Sequence, residues 1–214
     1  MLDDIRLAIF DHSGVLSDDR PPVYEANMVL LQRRGTNRIT FEDWLRASKA
    51  SAADLVESFG HRIDRASVSS EYAEVYSDIV VGGLAPTMYV DVPEVLDQLK
   101  ENSIRLGIVS SHPTQNLITE LGGYGIRDLF DDISGADGDP VPKNKRLVQM
   151  CGGFSFRPDQ AVFVEDTIYG LQHGKDAGVH TIGVTTGYHN RERLEAEKPY
   201  AVLDSLKEIL DYIA

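Results

Sequence analysis

Four short runs of branched and aromatic apolar residues, Leu7 to Phe10, Ile104 to Val109, Ala161 to Val164 and His180 to Val184, punctuate a chain of otherwise mixed polarity. Each is apolar on successive residues rather than on every second one, and a fifth, weaker run covers Asp131 to Ser134. A strand that is apolar on both faces has to be covered on both sides, which is the condition of a parallel sheet between two layers of helices. The intervening stretches supply such helices. Val95, Leu96 and Leu99 follow the start signal Asp91-Val-Pro-Glu, and Leu117, Ile118 and Leu121 follow His112-Pro-Thr. Leu206, Ile209 and Leu210 follow Asp204, an expected N-cap. Strand alternating with helix predicts an α/β fold built on a parallel sheet.

The alternation lapses once. From about Asp18 to Met88 the spacing is helical only: Val23 to Arg34, then Thr40 to Phe59, opening on Thr40-Phe-Glu-Asp in the manner of a capping box, then Ser69 to Val80. This predicts a helical insert between the first and second strands, with hinges at the turn-rich stretches Asp18-Asp-Arg-Pro-Pro and Gly82-Gly-Leu-Ala-Pro. A chain of 214 residues has room for one core domain and such an insert, but not for two large domains. The expected division is a core of residues 1–17 and 86–214 and an insert of residues 18–85.

Charge and composition narrow the function. A formal net charge of −13 repels polyanions at long range, so nucleic acid is not an expected partner. No apolar stretch approaches the roughly 18 residues needed to cross a bilayer, and the N-terminal MLDDIRLAIFD carries acids where an export signal carries bases. With Cys151 as the single cysteine no internal disulfide can form, which fits a reducing cytoplasm. The expectation is a soluble cytoplasmic protein, a monomer or a homodimer.

In an open parallel sheet, ligands bind beyond the carboxyl ends of the strands, so residues just past each strand converge. That rule selects Asp11 after the first strand, Ser110 in "LGIVSSHP" after the second, Lys143 in "DPVPKNKRL", and Glu165 with Asp166 in "AVFVEDT". An acid, a hydroxyl, an ammonium and an acid pair make a coherent phosphate site. Carboxylates can hold Mg²⁺, while the hydroxyl and ammonium orient phosphoryl oxygens. Asp11 would be the nucleophile, attacking phosphorus to become an aspartyl phosphate.

The order of these motifs, Asp11 with Gly14-Val15-Leu16, then Ser110, Lys143, and Glu165-Asp166 followed by "YGLQHGKDAGVHTIGVTTG", resembles the haloacid dehalogenase superfamily of phosphatases and phosphotransferases across essentially the whole chain. The resemblance implies a Rossmann-like core of three layers, α/β/α, with a small helical cap inserted after the first motif, as in the phosphoglycolate phosphatase and β-phosphoglucomutase branch. It implies that Asp11 is the nucleophile, Ser110 the phosphate-binding hydroxyl, Lys143 the charge-balancing lysine and Asp166 a Mg²⁺ ligand supported by Glu165. The implied activity is Mg²⁺-dependent hydrolysis of a small phosphorylated metabolite, with the cap supplying specificity.

Position 13 departs from the family. Most phosphatases of this group carry there a second Asp that protonates the leaving oxygen and then activates water. The hydroxyl of Ser13 donates a hydrogen bond but is a poor acid or base, although its backbone carbonyl can still bind the metal. Three alternatives follow: a phosphatase of activated phosphates or one that takes an acid from the cap; a phosphonatase-like enzyme using a cap lysine, with Lys49 nearest the required spacing; or a binder of phosphorylated ligands without turnover.

Several neighbours compete for roles. Ser111 is a second phosphate-binding hydroxyl beside Ser110, and either could cap the helix after Pro113. Lys145 competes with Lys143, and Lys49 has the ordinary reading of a solvated helix residue. His12 is expected to pack or face solvent, His112 lies where it could touch substrate, and Phe41 and Trp44 suit the interior of the insert.

Overall fold

The computed structural model describes residue 2 and residues 4–49, 51–137 and 141–213. The chain forms two compact units, one of Met1–Ser17 with Met88–Ala214 and one of Asp18–Thr87. In chain order the elements begin with β1 (Leu7–Phe10), β2 (Ser17–Asp18), α1 (Arg20–Arg33), α2 (Phe41–Ala47), α3 (Ala52–Ser58), α4 (Arg65–Val81) and β3 (Thr87–Met88). They continue with α5 (Val92–Glu101), β4 (Arg105–Val109), α6 (Thr114–Gly123), β5 (Asp132–Ser134), α7 (Lys143–Gly153) and β6 (Ala161–Glu165). The last are α8 (Ile168–Ala177), β7 (His180–Val184), α9 (Arg191–Ala196) and β8 (Ala201–Leu203).

Six strands of the first unit form one sheet in the order β5-β4-β1-β6-β7-β8, every pair parallel. The continuous apolarity of its strands has a direct cause. Successive side chains point to opposite faces, and both faces are covered. Ala8 and Phe10 of β1, Leu106 and Ile108 of β4, and Val162 and Val164 of β6 pack with Val95, Leu96 and Leu99 of α5 and Leu117 and Leu121 of α6. Leu7, Ile9, Val109, Ala161 and Phe163 turn the other way, onto Leu147, Met150 and Cys151 of α7 and Ala177 of α8. Each fully buried large side chain contributes about 1.5–3 kcal/mol relative to exposure, so the two layers together anchor the strands. This is the expected α/β/α sandwich. Cys151 is buried and free, and burial pushes its thiol up to about 11.

Helix ends follow local chemistry. The Thr167 hydroxyl accepts from Gly170 N at 3.1 Å to open α8, and Gly178, at φ +77°, closes it in the left-handed conformation that glycine adopts without strain. The terminal segment differs from expectation. Leu206–Asp211 is a 3-10 helix capped by Ser205 in a capping box with Glu208, while Asp204 accepts from Thr185 and Arg191 side chains. The strand β8 was not expected, because three residues at a sheet edge, two of them half-buried, carry too little apolar signal.

The second unit is helical apart from its junctions. Pro21 and Pro22 lie in the first turn of α1, where a proline removes only N–H groups that have no partner there. The Thr40–Phe59 stretch is two helices. Ser48 is extended (ψ 138°), and the side chains of Thr40 and Ser51 each cap their own helix by accepting from Asp43 N and Asp54 N. Tyr24, Phe41 and Trp44 form an aromatic cluster with centroids 5.3–5.5 Å apart, and Trp44 is buried. The strands β2 and β3 form a two-stranded sheet that the helical reading of Asp18 to Met88 did not anticipate; two residues each, Ser-Asp and Thr-Met, give no periodicity to read. No helix among the described residues is long and apolar enough to cross a membrane.

The loop leaving β1 is held from below. His12 is turned inward and buried, its Nε2 2.9 Å from Glu120 Oε1 on α6, and the same oxygen accepts from Ser17 Oγ at 2.9 Å and Tyr124 OH at 2.8 Å. Burial disfavours the Glu120 carboxylate, but His12, Tyr124 and Ser17 outweigh it and bring the group down to about 2. Between that value and the ordinary 4.5 the unfolded chain binds more protons than the folded one. The stabilisation is therefore complete above pH 4.5 and disappears as pH falls toward 2. Glu120→Gln should lower the melting temperature at pH 7 and flatten its fall between pH 5 and pH 3, as thermal melts across that range would measure.

Candidate active site

The central strand β1 lies between β4 and β6, with Phe10 level with both Ile108 and Val164. Adjacent strands are about 4.8 Å apart, so the residues one step beyond this register meet at one edge. Asp11 extends the ladder by donating its N–H to Val164 O at 3.0 Å. Ser110 leaves β4 beside it, donating its own N–H to Ser134 O at 3.1 Å, and Glu165 and Asp166 end β6 on the other side. The strand order thus reverses direction around β1, the arrangement that opens a crevice at the carboxyl edge.

Lys143, the first residue of α7, reaches into this edge. Its Nζ lies 3.2 Å from Asp11 Oδ1 and 3.0 Å from Glu165 Oε2. Burial opposes the ammonium, but the two carboxylates prevail and hold its pKa above the ordinary lysine range. Lys143 is the lysine that reaches these carboxylates, whereas Lys145 is exposed. Asp139 and Pro140, in the stretch before it, lie outside the described residues.

Glu165 is heavily engaged. Its Oε1 accepts from Asp166 N (3.1 Å), Thr167 N (3.1 Å) and Thr167 Oγ1 (3.0 Å), which fixes the turn into α8, and its Oε2 takes Lys143. Asp166 is the opposite case. Burial, then the charge of Glu165 and its hydrogen bond, then Asp11, push its pKa well above the ordinary range, against one backbone donor, Tyr188 N, 2.7 Å from Oδ2. Asp11, Glu165 and Asp166 each bring one carboxylate oxygen within 4.8 Å of the others, all buried. Asp11 Oδ1 has no partner of hydrogen-bond geometry. Three buried carboxylates against one ammonium leave a deficit of positive charge, and an all-oxygen set of this kind suits a hard divalent cation.

Glycines make room for the acids. A Cβ on Gly187 would fall 1.9 Å from Asp166 Oδ2, one on Gly14 2.3 Å from the same atom, and one on Gly170 1.8 Å from Glu165 Oε2. Gly14 also has φ +73°, so the "SGV" glycine is required twice over.

The remaining candidates separate clearly. Ser110 is buried, whereas Ser111 is exposed. The helix after Pro113 begins at Thr114 with no side-chain cap, so neither serine caps it. Ser13 Oγ lies 3.1 Å from His112 Nε2, pairing the loops that leave β1 and β4. Lys49 is exposed in the link between α2 and α3 and not on a helix, because the expected single helix is broken there.

Two residues escaped the sequence reading. Arg146 is buried and donates to Ser110 O (2.8 Å), Ser134 O (2.8 Å) and Val141 O (3.2 Å), tying β4, β5 and α7 together. His189 is buried, accepts from Ile168 N at 3.0 Å through Nδ1, and is held down to about 4 by burial and then by the charge of Arg193. A lone Arg in a helix and a His in a turn give no pattern that distinguishes them from surface residues.

A parallel α/β core with an acid triad, a lysine and a serine at the central strand ends suits a divalent cation and a phosphoryl group. The sequence matches the haloacid dehalogenase-like hydrolases over residues 8–184, and the chain belongs to that family. It is 26% identical to a phosphoglycolate phosphatase of Psychrobacter arcticus, over 98% of this chain and 96% of the relative. It is 29% identical to the validoxylamine A 7'-phosphate phosphatase of Streptomyces hygroscopicus subsp. limoneus, over 90% and 91%. Its fold matches that of a haloacid dehalogenase-like hydrolase from Streptococcus pneumoniae with a TM-score of 0.82, at 18% identity and 99% coverage of both chains.

The glycine at 187 offers a direct check on the acid cluster. Gly187→Ala should destabilise the protein by about 1–3 kcal/mol through overpacking against Asp166. Gly183→Ala, whose Cβ would meet only ordinary contacts at 3.4 Å, should stay within about 0.5 kcal/mol. Urea denaturation of both variants measures the difference.

Proposed function

We propose that the protein is a Mg²⁺-dependent phosphatase of a small phosphorylated metabolite, working through an aspartyl phosphate on Asp11. The observation that carries this is the state of Asp11: a buried carboxylate at the central strand end whose Oδ1 faces the Lys143 ammonium at 3.2 Å. A carboxylate in that setting is desolvated and held in one orientation, which is what a nucleophile requires.

The roles follow from placement. A carboxylate oxygen of Asp11 attacks phosphorus, the bond to the leaving oxygen breaks, and an acyl phosphate forms on Asp11. Lys143 and the Ser110 hydroxyl receive the phosphoryl oxygens, and Arg146 holds the Ser110 carbonyl so that the hydroxyl keeps its position. Water then attacks the acyl phosphate, phosphate leaves, and Asp11 is regenerated. Asp11 and Asp166, with Glu165 beside them, are the residues that would hold Mg²⁺, and the bound cation supplies charge neutralisation for the phosphoryl group.

Relatives named for phosphoglycolate and for validoxylamine A 7'-phosphate share the phosphoryl group and little else, which supports a phosphate monoester as the common element. Asp11→Asn should reduce hydrolysis of a phosphate monoester by at least about 10³-fold while leaving the melting temperature within a few degrees, since the side chain volume is kept. Chelation with EDTA should abolish turnover, and Mg²⁺ should restore it. Release of inorganic phosphate is the measurement. Turnover that survives Asp11→Asn would overturn the mechanism, and no turnover on any phosphate would favour a ligand-binding role.

A further inference from the structure

We propose that His112 is a positioning residue that makes the Ser13 hydroxyl the hydrogen-bond donor to the leaving oxygen, and that the substrates are therefore phosphates whose leaving group departs without a full proton: acyl, enol and aryl phosphates. This rests on the phosphatase reading above. It departs from that reading in assigning the work of the missing second carboxylate to two residues of the core, with nothing taken from the helical insert.

The geometry begins at β1. The chain bends at His12, whose side chain is turned into the protein against Glu120. Ser13 lies between two residues that border the acid cluster: Asp11 is one of its carboxylates, and a Cβ on Gly14 would fall 2.3 Å from Asp166 Oδ2. Ser13 is only partly buried, as is His112, and the two meet at 3.1 Å across 99 residues of sequence. His112 is itself held. Its carbonyl accepts from Ala136 N at 2.9 Å, its N–H points to Ser110 Oγ at 3.4 Å, and its ring stands edge-on to that of His12 with centroids 5.8 Å apart. The imidazole is thus fixed by the loop that also carries the phosphate-binding hydroxyl.

A serine hydroxyl has one hydrogen and two lone pairs. If that hydrogen went to His112, lone pairs would face an oxygen that gathers negative charge. With the imidazole as its Nε2–H tautomer, the ring donates into Ser13 Oγ and the serine hydrogen is free for the leaving oxygen. A leaving oxygen becoming anionic selects the second arrangement, and a donor already aimed at it needs no reorganisation. The step is complete without a proton transfer: the P–O bond breaks, its electron pair stays on the leaving oxygen, and the hydroxyl stabilises that charge. Such assistance is smaller than full general acid catalysis, which confines efficient turnover to leaving groups that tolerate the charge.

The test is kcat/KM, with Mg²⁺ present, for acetyl phosphate, a graded series of aryl phosphates and one alkyl phosphate. The wild type is compared with Ser13→Ala, His112→Ala, His112→Gln, the Ser13→Ala/His112→Ala pair and Asp11→Asn. The expected result is that Ser13→Ala and His112→Ala each lose about tenfold to a hundredfold on phenyl phosphate and less than about threefold on the best leaving groups. The double variant should be no worse than either single one, and His112→Gln, whose amide can donate, should recover most of the loss. Losses that are equal along the series, additive losses, or a His112→Gln variant no better than His112→Ala would overturn the assignment. A wild type that hydrolyses the alkyl phosphate as readily as phenyl phosphate would overturn the substrate class. If Asp11-dependent turnover is found but ignores both residues, this inference alone fails; if nothing in the panel is turned over, the phosphatase reading fails and takes it along.

Discussion

The crowding of carboxylates around a single ammonium at the end of the central strand is the constraint on which the rest of this structure depends. Asp11, Glu165 and Asp166 are buried and mutually repulsive, and Lys143 bridges only two of them. Like charges in a poorly solvated site are expensive, and a chain keeps them only when the surrounding fold leaves them no way to separate. Here two parallel neighbours of β1, locked in register by a core on both faces, supply that fixity. The sheet therefore stores an electrostatic deficit at one edge, which a divalent cation and a phosphoryl group can jointly use.

The same constraint dictates features that look unrelated. Lys143 sits in the first turn of α7, where the helix dipole is unfavourable to a cation, and it stays there because two carboxylates face it. Glu165 and Asp166 precede the first turn of α8, where the dipole favours them, and Glu165 accepts from the N–H groups of Asp166 and Thr167 that lead into it. Gly14, Gly170 and Gly187 are spaces cut for the acid side chains. Behind the site, Arg146 and Glu120 act as braces, one holding the carbonyls at the ends of β4 and β5, the other gripping the inward residue of the first loop.

Position 13 shows how a departure from the pattern of a family can be met by a neighbour. Serine cannot act as a carboxylic acid near neutral pH, but a hydroxyl is a donor whose direction depends on what lies behind it. What lies behind it is His112, contributed by the strand on the β4 side and anchored through its own backbone. In the proposed mechanism, a change of one side chain would shift the chemistry from moving a proton to stabilising a charge, without disturbing Asp11.

By itself the sequence determined the parallel sheet, the helical stretch between its first two strands and the strand-end segments that meet at its carboxyl edge, because strand apolarity and strand-end placement are local properties that survive in one dimension. It also determined that position 13 lacks an acid. That Lys143 reaches the acids while Lys145 is exposed, and that Ser110 is buried while Ser111 is not, took the tertiary structure, since neighbouring residues of one type differ only in which way the backbone aims them. The break between α2 and α3, the 3-10 character of Leu206–Asp211 and the strand β8 were decided there as well, where weak local preferences yield to packing. So were the partners of Ser13 and His12, which lie 99 and 108 residues away along the chain and meet only because β4 and α6 fold back against β1. Contacts of that kind are set by the register of adjacent strands, a quantity no single stretch of sequence contains.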